Sequence, residues 1–190
     1  PMDQAVVIRP RFEPGRRIIA VSDVHGNLDF FRGLMDQVGL TPSDILVLVG
    51  DLLEKGPDSL ALLRYVMELS RTHTVYPLCG NCDGLVLRFF DTDELDGRFY
   101  SAYLPIHPES TIRQLAEELG FSNWRDFPAL RAALREAYPE IRAWLRAAHH
   151  PGDGAPPLCP WRRPFPGAHG DAESLEVHEE RQLSGAGPSL

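Results

Sequence analysis

What most constrains this chain is an alternation of short apolar runs with amphipathic stretches. Arg17 to Ser22 is a β-branched run that ends at Asp23, Asp44 to Val49 ends at Gly50-Asp51, and Thr74 to Cys79 ends at Gly80-Asn81. Runs of this length between turn residues read as buried strands. Between the first two, Asn27 to Gln37 and the next residue carry Leu28, Phe31, Leu34, Met35 and Val38 at helical spacing. Between the second and third, Pro57 to Ser70 reads as an amphipathic helix with Pro57 in its first turn. Right-handed crossovers make the strands of such a β-α-β-α-β run parallel. Continuous apolar strands predict a sheet covered on both faces. The predicted fold class is therefore α/β, a mostly parallel sheet flanked by helices.

The rest of the chain divides by texture. Residues 1–16 are polar and proline-bearing and are expected to form a loose arm. Residues 17–147 form the expected domain. Within it, about 89–147 is a helical insertion whose best-defined helices are Thr111–Leu119, Phe127–Ala137 and Pro139–Ala147. From residue 148 to 190 proline, glycine and arginine crowd the sequence, and no apolar period is sustained. That composition predicts disorder.

Bulk properties narrow the function classes. A net charge of −8 argues against a nucleic-acid partner, which needs a basic face. No stretch approaches the roughly 18 apolar residues of a membrane span, and the first residues lack the apolar segment of a signal peptide. Three cysteines, Cys79, Cys82 and Cys159, are too few for a disulfide framework. These features predict a cytoplasmic protein without membrane partners.

The residues with chemistry cluster at the three strand ends. They are Asp23-Val24-His25-Gly26-Asn27, Gly50-Asp51-Leu52-Leu53-Glu54-Lys55-Gly56 and Gly80-Asn81-Cys82-Asp83. In an open parallel sheet, ligands bind beyond the carboxyl ends of the strands, so all three groups can meet in one crevice. Carboxylate, imidazole and amide oxygen make a borderline-hard donor set that suits manganese, iron or zinc better than calcium. Cys79 and Cys82 also have C-x-x-C spacing, which leaves a redox or half-zinc reading open.

Taken in order, D-x-H-G, G-D-x-x-x-x-G and G-N-x-D resemble the calcineurin-like metallophosphoesterase superfamily, in its serine/threonine-phosphatase-like branch. The resemblance implies a dinuclear-metal-dependent phosphoester hydrolase. Two divalent ions, of manganese, iron or zinc, would be held by Asp23, His25, Asp51 and Asn81. Asp51 would bridge them, and a hydroxide between them would attack phosphorus. Asn81 and Lys55 would contact the substrate phosphate. The substrate would be a phosphorylated small molecule, a nucleotide or a phosphoprotein. Two positions depart from the pattern. Lys55 stands where the branch usually has Arg and lacks the bidentate fork. Cys82 stands where it usually has His, which leaves Asp83 beside it as the remaining candidate acid. A non-catalytic metal- or phosphate-binding module is the alternative reading.

The superfamily also supplies two later histidines to its second metal, one in a V-H-x-G strand, and neither is found in register here. One explanation is a shifted reading frame. With codons chosen from those allowed for Ala148 to Phe165, reading one nucleotide later gives PTTLETERHLFVHGGVP, an apolar strand with the missing motif. The alternative frame can stay open through His178. The second metal site of the chain as given is therefore expected to be impaired. Sequencing the encoding DNA tests the idea: the alternative frame should encode V-H-x-G, and a natural frame without it sinks the explanation.

Overall fold

The computed structural model describes residues 12–92 and 97–149. The expectations for most of the N-terminal arm and for nearly all of the 148–190 tail lie outside the described residues. Within them the chain is an α/β fold: a three-stranded parallel sheet of order β1-β2-β3, flanked by helices. The strands are β1 (Ile18–Val21), β2 (Ile45–Val49) and β3 (Thr74–Leu78). Their register pairs Ile18 with Ile45 and Ile45 with Thr74, so the three strands start at one level and end within one residue of one another. That common level places Asp23, Asp51 and Asn81 on one rim.

Two helices make the crossovers. α1 (Leu28–Val38) buries Leu28, Phe31 and Met35, and ends where Gly39 turns left-handed at φ 59°. α2 (Ser59–Leu69) buries Leu60, Leu62, Leu63 and Val66. Pro57 was expected in the first turn of α2 but precedes the helix, whose N-cap is Asp58. The sheet face of Leu46, Leu48 and Val75 joins these helices in the core. The opposite face is less covered than the apolar strands implied, since Ile18 is 56% and Val49 43% exposed.

The helical insertion starts earlier than its texture suggested. α3 (Asn81–Asp91) opens directly inside the third motif, and α4 (Gly97–Ile106), α5 (Thr111–Glu118), α6 (Phe127–Ala137) and α7 (Pro139–His149) follow. Phe89 on α3 meets Tyr100 and Phe127 edge-on, with ring centroids 5.1 and 6.1 Å apart. Aromatic groups buried this way contribute about 1.5–3 kcal/mol each through lost water contact. The insertion is tied to the sheet layer as well. Gln114 Oε1 on α5 accepts the Leu60 N–H at 3.0 Å, and Arg64 grips Glu118 with two bonds of 2.7 and 2.6 Å.

The sheet's other rim is clamped by charge. Asp44, only 5% exposed, accepts Arg17 Nε and Nη2 at 3.0 and 2.8 Å and the Thr41 N–H at 2.8 Å. Arg17 also donates to the carbonyls of Val38 and Gly39 at the end of α1. The Arg17 guanidinium, then the Thr41 N–H, hold the Asp44 carboxyl far below the usual carboxylate range. A depressed carboxylate contributes stability above its unfolded pKa, near 4, and loses it as pH falls below that. Asp44→Asn should therefore lower the melting temperature at pH 7, and the gap from wild type should close as the pH drops from about 5 toward 2. Melting curves at stepped pH test this; a gap independent of pH would remove the ion pair from the account.

Candidate active site

The loops after β1 and β2 run beside each other as if the sheet continued. The Asp23, His25 and Gly26 N–H groups donate to the carbonyls of Gly50, Asp51 and Leu52 at 3.2, 3.0 and 2.9 Å. This ladder holds side chains in an unusual backbone. Asp23, His25, Asp51, Glu54 and Lys55 all have φ between 47° and 71°, the left-handed region that L-residues other than glycine seldom enter. The effect is to turn Asp23, His25 and Asp51 toward one point. Close approach of the chains requires glycine twice. A Cβ on Gly56 would lie 2.0 Å from the His25 carbonyl, and one on Gly80 would lie 2.1 Å from the Asp51 carboxylate.

The resulting cluster is compact. His25 Nε2 lies 3.6 Å from Asp23 Oδ1 and 3.8 Å from Asp51 Oδ2. His25 Nδ1 is 3.2 Å from the Leu53 carbonyl, and we assign the proton to Nδ1, so the Nε2 lone pair faces the two carboxylates. A histidine oriented by a backbone carbonyl, with its other nitrogen aimed at carboxylates, is the arrangement that metal-ligating histidines use. These residues therefore fit the divalent ion that the donor set implied. Lys55 Nζ lies 3.1 Å from the same Nε2, so a positive charge already sits at this point.

The third motif meets the cluster through the start of α3. Asp51 Oδ1 accepts the Cys82 N–H at 3.0 Å, in the first turn of the helix, where backbone N–H groups favour an anion. Asn81 is exposed at the first helical position, and its amide lies 3.6 Å from the Cys82 sulfur. Cys82 is buried, and burial, then the nearby Asp51 charge, push its thiol up to about 12. It is neutral near pH 7, unlike an imidazole poised to titrate there. Cys79 and Cys82 form no disulfide.

Asp83 is 3% exposed, and both of its oxygens are engaged: Oδ1 by the Leu53 N–H at 2.9 Å, Oδ2 by the Gly80 N–H at 2.8 Å. Burial raises it to about 6 against the pull of those N–H groups. It braces the second and third motifs against each other. The sequence signal for this brace was present, since an acid three residues after a Gly N-cap is a helix-start pattern.

One residue was missed. Glu54 is 1% exposed and accepts the Tyr103 hydroxyl at 2.6 Å and the Thr111 N–H at 2.8 Å. It ties the loop bearing Lys55 to α4 and to the start of α5. Nothing local in the sequence marks Tyr103 as its partner, because 49 residues separate them.

Comparison with known proteins identifies the family. The calcineurin-like phosphoesterase family pattern matches residues 16–181. Symmetrical bis(5'-nucleosyl)-tetraphosphatases are similar over shorter segments. That of Aromatoleum aromaticum is 43% identical over 72 residues, 37% of this chain and 26% of its own. That of Acidovorax sp. is 42% identical over 67 residues, 35% and 23%. That of Citrobacter koseri is 46% identical over 68 residues, 35% and 21%. The chain thus spans about a quarter of the length of the curated relatives it matches. A crystal structure of a candidate diadenosine tetraphosphatase is 32% identical, covering 49% of this chain and 37% of that one, with a TM-score of 0.37. No described helix is long and apolar enough to cross a membrane. With strand-end ligands converging on one rim and a family match over most of its length, the chain belongs to the calcineurin-like phosphoesterases.

Proposed function

We propose that this chain is the metal-binding portion of a hydrolase that cleaves dinucleoside polyphosphates. The observation that carries the reading is the convergence of Asp23, His25 and Asp51 around one point already marked by the Lys55 ammonium. The tetraphosphatase relatives favour a nucleotide substrate over the phosphoprotein that the serine/threonine-phosphatase-like resemblance also allowed. The acidic net charge fits a small nucleotide better than a nucleic acid.

In this reading Asp23, His25 and Asp51 would hold one divalent ion, and Asn81 with Asp51 would serve a second. Bound there, such ions supply Lewis-acid stabilisation of phosphoryl oxygens and of the attacking water. The chain's own groups do the rest. Lys55 offers a point charge to a phosphate oxygen, and Asn81, exposed at the α3 start, offers an amide donor. Asp83 and Glu54 fix the loops that carry these groups. Water oxygen adds to one phosphorus, the bridging P–O bond to the next phosphorus breaks, and the departing nucleoside phosphate leaves as a stable anion. A cleavage of that kind asks little of a general acid, which suits a site with Cys82 where the superfamily usually has His.

The second reading, a non-catalytic phosphate-binding module, is favoured by that same neutral thiol. A turnover panel separates the two. Diadenosine tetraphosphate and a phosphoseryl peptide should be offered with Mn²⁺ or Zn²⁺ to this chain and to a frame-restored chain, in which residues from 148 onward are translated from the encoding DNA in the alternative frame. The frame-restored chain should prefer the dinucleotide by at least about tenfold in kcat/KM, about 1.4 kcal/mol, and the chain as given should be far slower. A preference for the peptide overturns the substrate assignment. Metal binding with no turnover by either chain leaves the binding module.

Lys55 gives a finer test. Lys55→Ala should raise KM roughly ten- to hundredfold in the frame-restored background, the worth of about 1.5–3 kcal/mol for a hydrogen bond to a charged group. Lys55→Arg should lower KM or raise kcat by adding a bidentate contact. Unchanged kinetics in both variants would place Lys55 away from the phosphate.

A further inference from the structure

Cys82 is the part of the site that the proposed mechanism leaves idle. Its sulfur, one nitrogen of His25 and one carboxylate oxygen of Asp51 all lie within 4.8 Å of one another. Ligand atoms on a single tetrahedral ion, at about 2.0 Å for nitrogen or oxygen and 2.3 Å for sulfur, sit about 3.3–3.6 Å apart. The three groups are thus within a small inward rotation of a shared ion. Asp23 Oδ1 is 3.6 Å from His25 Nε2, but its side chain is 65% exposed and it is not one of the three that lie mutually this close.

The backbone fixes this geometry. The Cys82 N–H bonds to Asp51 Oδ1, so the sulfur starts from the residue whose amide already holds the carboxylate. The Leu53 carbonyl holds His25 Nδ1, which turns Nε2 inward. The Asn81 amide lies 3.6 Å from the sulfur and can support negative charge on it. Lys55 Nζ lies 3.1 Å from His25 Nε2, so a bound ion would have to compete with it for that lone pair.

We propose that Cys82 is a metal ligand, completing a His25–Asp51–Cys82 site for zinc or another thiophilic ion. This rests on the metal-binding reading above and deepens it. The sulfur would bind as thiolate, its proton passing to solvent, and would add a soft donor to the nitrogen and oxygen donors of the proposed site. A thiolate tilts selection away from manganese and magnesium toward zinc. The residue at the usual His position thus gains a use that a general acid would not have.

Cobalt substitution reads this out without turnover. The full chain loaded with Co²⁺ should show an intense near-ultraviolet sulfur-to-cobalt charge-transfer band. The band should persist in Cys79→Ala and disappear in Cys82→Ser. Cys82→Asp keeps a ligand without sulfur, so it should bind cobalt yet lack the band, which covers the case in which the serine variant folds poorly. Zinc affinity should fall at least tenfold in Cys82→Ser, and manganese affinity should change much less. Bound cobalt without the band, a band that survives in Cys82→Ser and Cys82→Asp, or no cobalt binding at all would overturn the assignment. A band with no hydrolysis of diadenosine tetraphosphate by the frame-restored chain supports the ligand and sinks only the catalytic reading. Hydrolysis without the band does the reverse.

Discussion

Everything at this site depends on the backbone ladder between the loops after β1 and β2. Five non-glycine residues there occupy the left-handed region, at a cost of about 1–2 kcal/mol each. Left to local preference, Asp23, His25 and Asp51 would adopt extended or helical backbone and their side chains would diverge. The bonds from the Asp23, His25 and Gly26 N–H groups to Gly50, Asp51 and Leu52 offset that cost. They form because the parallel register brings β1 and β2 to an end within one residue of each other. The common ligand point is therefore a property of the sheet pairing, not of any single motif.

A second constraint links the site to the helical insertion. Glu54 is a carboxylate placed out of water, and such a group persists only if its oxygens are bonded. The Tyr103 hydroxyl and the Thr111 N–H meet that need, and the start of α5 adds a favourable dipole. Burial first, then the bond to Glu54, hold the Tyr103 hydroxyl well above its usual pKa, so it stays a donor at any pH the protein meets. Because Lys55 follows Glu54 directly, displacement of α4 or α5 is felt at Lys55, the residue that the proposed reading sets against the phosphate. The insertion thus sets the position of a charge and does not merely cover the sheet.

Much of this was legible in the residues. Ile18 to Val21, Ile45 to Val49 and Thr74 to Leu78 announce themselves by β-branching and length, and the helical periods of α1, α6 and α7 locate those helices within a few residues. The motif spacing also pointed to one crevice. The start of α3 was hidden because Asn81 and Cys82 were read for their chemistry, while the cap pairing of Gly80 with Asp83 was overlooked. Pro57 misplaced the start of α2 because its fixed φ suits a first helical turn and a preceding turn equally. Glu54 with Tyr103 and Thr111 could not be read locally, since the contacts span 49 and 57 residues and form only once the insertion folds back.

The sign of the local field then decides what the crevice can hold. Asp23 and Asp51 face each other across His25, and against them Lys55 supplies a single positive charge. Two carboxylates and one ammonium leave the point net negative, so a polyphosphate chain approaching it is repelled. In the proposed reading, an ion of charge two or more at His25 Nε2 would reverse that sign, and Lys55 would then be available to a phosphate oxygen. Lys55 Nζ lies 3.1 Å from His25 Nε2, the nitrogen that the proposed ion would also use, so ion and ammonium would compete for one lone pair. A lysine can aim its compact charge at a single lone pair, whereas a planar guanidinium is suited to a fork-shaped partner.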